Sequence, residues 1–235
     1  MTTEANNKPV APKFEWDFDV PDTPFWQQLE FTVVRNFLTC YGPEEVENLH
    51  LDAALAVPDR LQYLLSQLSS DLSAREAAAA PQQLHVADPD VWRRFMLGIE
   101  TLQKSLGLLV EEAQTIHKML STAEGNARVP WLNMLADLDL RRGDFVEAET
   151  VSREVLPWMQ THEKLGVDSP QAFGTTRIII AAAWKQGGSK QDEARQLIQE
   201  TFALIDGMGD SRFAKYQKEE RQLLQELKAK LEAGK

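Results

Sequence analysis

The chain has one cysteine, Cys40, and four scattered histidines among its 235 residues. A single thiol excludes an internal disulfide and agrees with a reducing compartment. Zinc sites need closely spaced Cys and His, and His50, His85, His117 and His162 lie far apart, so no metal is implied. No apolar run approaches the ~20 residues that cross a bilayer. The opening MTTEANNKPVAPK has no apolar signal core. The expectation is a cytoplasmic protein without a membrane span. Gly-rich phosphate loops and a Gly-x-Ser-x-Gly elbow are also missing from the sequence. Glu111-Glu112 and Glu219-Glu220 are adjacent pairs on helices, so their carboxylates diverge instead of converging on one bond. Neither an enzyme nor a cofactor is expected. Basic charge is short too, with 25 Lys and Arg against 36 Asp and Glu and a net charge of -11. Phosphate backbones select basic surfaces, which argues against nucleic acid as a partner.

What the chain does have is a 43% apolar content, enough for a folded core, arranged at helical spacing. Residues 131–158, WLNMLADLDLRRGDFVEAETVSREVLPW, organise the rest. Leu132, Leu135, Ala136 and Leu138 mark one amphipathic helix; Phe145, Ala148, Val151, Val155 and Trp158 mark another. Gly143 suits the left-handed end of the first helix, and Asp144 with Glu147 suits a capped start of the second.

Upstream, Thr23-Pro24 predicts a helix start for an apolar face of Trp26, Leu29, Val33, Val34, Phe37 and Leu38. Cys40 beside that face reads as a core thiol. Pro43 to about Ala56 predicts a short helix. Leu61, Leu64, Leu65, Leu68 and Leu72 form a stripe too short for a coiled-coil dimer, so packing within the chain is expected. PQQLHVA (81–87) reads as a linker. Asp88-Pro89 opens a helix through Trp92, Phe95, Met96 and Ile99, followed by GLLVEEAQTIHKML (107–120). Downstream, Ser169-Pro170 starts a helix with Ile178, Ile179, Ala182, Ala183 and Trp184. Ser189 caps a partner bearing Ala194, Leu197, Ile198, Phe202 and Ile205. A last helix, about 211–232, carries Phe213, Tyr216, Leu223, Leu224, Leu227 and Leu231. Residues 211–235 hold seven Lys and Arg against four Asp and Glu. They read as a solvated helix face or as a dock for an acidic partner. Phe14, Trp16 and Phe18 read as a cover packed onto the body or as a docking peptide.

LADLDLRRGDFVEAETVSREVL resembles a tetratricopeptide repeat of the kinesin-light-chain type. The matching residues are Leu135, Ala136, Leu138, Gly143, Phe145, Glu147, Ala148, Glu149, Arg153, Glu154 and Leu156. Asp139 stands where that family prefers Tyr, and Pro157 arrives early. EKLGVDSP (163–170) resembles its inter-repeat loop. Ala113 aligns with Ala148 near the ~34-residue period of such repeats; Ala194 lies further on. The resemblance implies an all-α, right-handed α-α superhelix (a TPR-like solenoid), with an amino-terminal helical extension and a carboxy-terminal capping helix. The expected organisation is an extended or disordered lead (1–22), amino-terminal helices (23–80), repeats (88–207) and the cap (208–235). It further implies a non-catalytic adaptor that takes another protein or peptide in a groove lined by first helices. The candidate contacts are Asn133, Asp137, Arg141, Ile178 and Lys185. The alternative is a regulatory helical domain with a Trp/Met-lined pocket for a small molecule or lipid, to which Trp131, Trp158 and Trp184 point unless they fill the core.

Overall fold

Helical spacing throughout the sequence becomes eleven α-helices in the computed structural model, which describes residue 14 and residues 16–234 and contains no strand among them. The expectation for the first dozen residues lies outside the described part. No described helix is long and apolar enough to cross a membrane. The chain forms two compact units. One is Phe18–Gly143; the other joins residues 14–17 to the chain from Asp144 onward. The division falls between the two helices read from residues 131–158, and residues 81–87, read as a linker, lie inside one unit.

The 18–143 unit contains α1 (Phe31–Leu38), α2 (Pro43–Glu47), α3 (Val57–Ala79), α4 (Leu84–Ala87), α5 (Pro89–Ser105), α6 (Leu109–Thr122) and α7 (Val129–Arg142). The leucine stripe of α3 is buried in full, and α3 packs against α5. Trp92, Phe95, Met96 and Ile99 of α5 join that core. Asp88 caps α5, its carboxylate accepting from the Val91 N–H. The first helix begins later than Thr23-Pro24 predicts. Arg60, 5% exposed, donates to the carbonyls of Pro24 and Phe25, and also to those of Ala53 and Leu55. Residues 23–29 run as turns ahead of the first helix, and the guanidinium supplies partners to two of their carbonyls. Likewise α2 ends at Glu47, well short of Ala56.

Where α5 crosses α1 and α3, the chain places Gly98. A Cβ there would lie 2.7 Å from Leu68 Cδ1, 3.2 Å from the Asn36 carbonyl and 3.4 Å from Cys40 Sγ. Leu68 is fully buried and the carbonyl is backbone, so neither yields easily. Gly98→Ala is therefore expected to lower stability by about 1–2 kcal/mol. Overpacking at ~1–3 kcal/mol outweighs the ~1 kcal/mol gained in helix propensity. Urea unfolding checks this, and a stabilised variant would show that the crossing relaxes.

The other unit contains α8 (Phe145–Thr161), α9 (Pro170–Gln186), α10 (Gly188–Asp206) and α11 (Gln217–Ala233). Gly143, before α8, is left-handed at φ 90°. Asp144 precedes α8 without a side-chain capping bond, whereas Ser169 does cap α9. Pro157 lies inside α8 and does not close it. α9 packs against α8, α10 and α11, which buries an unbroken run from Ile178 to Trp184. α10 starts at Gly188 and not after a Ser189 cap. Phe213 and Tyr216 lie ahead of α11, in and beside a 3-10 turn, so α11 buries Leu224 and Leu231 while Leu223 is exposed.

Candidate functional site

Three of the five groove candidates share one face of α7, at steps of four residues. Asn133 is half-buried. Asp137 receives Lys104 Nζ of α5 at 2.7 Å and Arg141 Nε at 3.0 Å. Arg141 also pairs with Glu112 of α6, whose side chain is wholly buried. Burial alone would lower the Arg141 guanidinium, but its bonds to Glu112 and Asp137 outweigh that and raise it. The second Glu112 oxygen, Oε2, has no hydrogen-bond partner among the described residues. Next to this pair, Glu100 is 3% exposed, with Thr101 Oγ1 at 3.3 Å. Burial, reinforced by Glu112 and Asp137 and opposed by Lys104, raises its carboxyl to about 7. The ion pairs tie α5, α6 and α7 together, so Asp137 and Arg141 hold their own unit before anything else. The remaining two candidates are on α9 in the other unit: Ile178 is 7% exposed and Lys185 is exposed.

A second ionic cluster ties the carboxy-terminal unit. Glu149 on α8 accepts from Arg153, Lys190 and Gln186 at 2.6–2.7 Å, and Arg177 of α9 pairs with buried Glu220 of α11. Cys40 donates to the Asn36 carbonyl, and burial pushes its thiol up to about 12. A thiol held protonated is a poor nucleophile. Among the described residues no group of three or more His, Cys, Asp or Glu is placed to hold a metal.

Open space lies elsewhere on the 18–143 unit. A cleft of about 660 Å³ runs between α5 and α7, lined among others by Trp92, Leu97, Ala127, Trp131 and Met134. The two indoles are 5% and 6% exposed, so they form its floor. A neighbouring cleft of about 620 Å³ reaches α3 and α4 and shares His85, Trp92 and Thr122 with the first. The two therefore adjoin across Trp92. On their margins Lys118 pairs with Glu76 at 3.1 Å and Arg93 with Asp90 at 2.5 Å. Of these residues the sequence singled out Trp131 as a candidate. Trp92 was legible only as core, and Leu97, Ala127 and Met134 carry no pattern that separates cleft from core. Trp184 is 6% exposed in its own unit, while Trp158 is half-buried with its ring 4.5 Å from that of His162.

Compared with family models, curated proteins and solved structures, the chain matches none of them.

Proposed function

We propose that this protein is a non-catalytic interaction module of tetratricopeptide-like helical repeats that takes an apolar peptide segment of another protein. The observation that carries the reading is the cleft lined by α5 and α7. By the repeat pattern these are the first helices of two successive repeats, and first helices line the groove in that class. The buried alanines Ala113, Ala148 and Ala194 stand at corresponding places in the repeats and also support it. Continuity with the second cleft favours an extended peptide, with large apolar side chains over Trp92 and Trp131. A second reading, a small apolar ligand, is favoured by Trp131 and Met134 lining the same space.

Ala127 is exposed on the margin of the cleft. Ala127→Arg obstructs the space without removing core, so its thermal unfolding is expected to match the native chain. The proposal expects a copurifying protein whose retention falls at least about ten-fold in this variant, as for loss of a central anchor. A partner held equally by both chains would sink the cleft reading. A small molecule retained in native mass spectra, and lost in the variant, would favour the second reading.

A further inference from the structure

The carboxy-terminal unit includes residues from the far end of the chain. Phe14 stacks on Trp16, with centroids 4.8 Å apart, and on Phe213 at 5.1 Å. The Trp16 indole N–H donates to the Tyr216 hydroxyl at 2.7 Å. Lys215 Nζ donates to both Asp17 carboxylate oxygens at 2.7 and 2.9 Å, and the Tyr216 hydroxyl donates to Asp17 Oδ1 at 3.1 Å. Lys215 Nζ also sits 4.6 Å from the centre of the Phe14 ring.

We propose that the cradle of Phe213, Lys215 and Tyr216 is an acceptor site that a second copy of this chain fills with its own residues 14–17. Three features of the arm support exchange. Its shape is local: the Phe14 N–H donates to Asp17 Oδ2 at 2.9 Å, and the Asp17 N–H donates to the Phe14 carbonyl at 3.0 Å. These two bonds need no partner outside the arm. Its bonds to the cradle are made by side chains, with Phe14 and Trp16 only half-buried, so no backbone ladder has to be broken. Finally, the arm reaches its unit by way of the whole 18–143 unit, through residues 17–22, which have no regular structure and expose Asp19 and Val20. Exchange of an identical segment re-forms between two copies each bond that it gives up within one, which makes it a low-cost route to a dimer. The occupant is specified by chemistry. Two rings, an indole N–H and a carboxylate match an aromatic face, a phenol oxygen and an ammonium, and this chain itself supplies that set. Lys215 holds the Asp17 carboxyl below the usual range, with the Phe14 N–H assisting.

The test uses two variants of the full chain. Phe14→Ala/Trp16→Ala disables the arm and keeps the cradle; Lys215→Glu/Tyr216→Ala disables the cradle and keeps the arm. Circular dichroism confirms that both fold, and Lys215→Glu alone serves if the double change does not. A labelled peptide of residues 13–19 is expected to bind the arm-disabled chain at least roughly ten-fold more tightly than the native chain, whose own arm leaves only a fraction of cradles open. Sedimentation equilibrium is expected to show a 1:1 complex in a mixture of the variants and no association of either alone. Absence of peptide binding to the folded arm-disabled chain overturns the proposal. So does peptide binding without association of the mixture, because the site then accepts a free segment but not a second copy.

Discussion

Arg141→Ala is expected to cost the 18–143 unit about 3 kcal/mol in urea unfolding. Glu112 is wholly buried and Arg141 is its one ion-pair partner among the described residues; its other oxygen is already unsatisfied there. Breaking such a pair leaves a desolvated charge, which costs about 3–5 kcal/mol. The lower end applies because the Arg141 side chain is 28% exposed, so water reaches the vacated position. Removing both partners tells a charge effect from a packing effect. On the Arg141→Ala background, Glu112→Leu discards the stranded carboxylate and keeps a similar volume. The double variant is expected to recover to within about 1 kcal/mol of the native chain, since apolar replacements of buried pairs are often neutral. A loss under about 1 kcal/mol for Arg141→Ala, or no recovery in the double variant, would remove the pair from its role as the tie between α6 and α7. It also bears on function. An alanine at position 141 tests the stability of its unit before it tests any groove, which is why Ala127 is the cleaner probe.

Glu100→Gln should act in the opposite direction, with an effect that sets in above about pH 4.5 and is complete a little above pH 7. Burial is the main reason the Glu100 carboxyl is raised to about 7 from an ordinary 4.5; Lys104 opposes this, and Glu112 and Asp137 add to it. With the folded value above the unfolded one, the native state binds the extra proton between pH 4.5 and 7. Stability then falls as pH rises through that window, because the unfolded state binds fewer protons there. The interval from 4.5 to about 7 corresponds to roughly 3 kcal/mol, at about 1.36 kcal/mol for each step of one in pH. Glutamine keeps the shape and carries no charge, so the stability difference between variant and native chain is expected to widen by about 3 kcal/mol from pH 4.5 to about pH 8. Thermal or urea unfolding across that range reads it directly. Parallel pH profiles for the two chains would show that Glu100 is solvated in the charged form.

Several of these elements are legible in the sequence. The α3 stripe, the capped starts of α5 and α9 and the left-handed Gly143 each depend on residues within about three turns of each other. Spacing and capping report such relations directly. The same locality marks Asn133, Asp137 and Arg141 as one face of one helix. Occupancy of that face is not legible. Lys104 and Glu112, which meet it, lie on other helices, and no periodicity links them to α7. Ile178 shows the same limit. Its step along α9 suits a groove as well as a core, and packing of α9 against three helices buries it. The turns ahead of α1 are tied by Arg60, whose partners at Pro24 and Phe25 lie 36 and 35 residues away and give no local signal.

By itself, then, the sequence determined that this is an all-helical chain, where most helices begin and end, and which side of each is apolar. Those properties follow from backbone preference and the 3.6-residue repeat, which act over a few residues. Only the tertiary structure decided that the chain divides at Gly143, that Phe14 and Trp16 join Phe213 and Tyr216 while Phe18 joins the other core, and that Trp92 and Trp131 floor a shared cleft. An apolar face states that it will be buried and not against what. Burial free energy follows area and is nearly indifferent to the partner. The choice of partner is made by shape and by polar groups that must find each other across long stretches of chain.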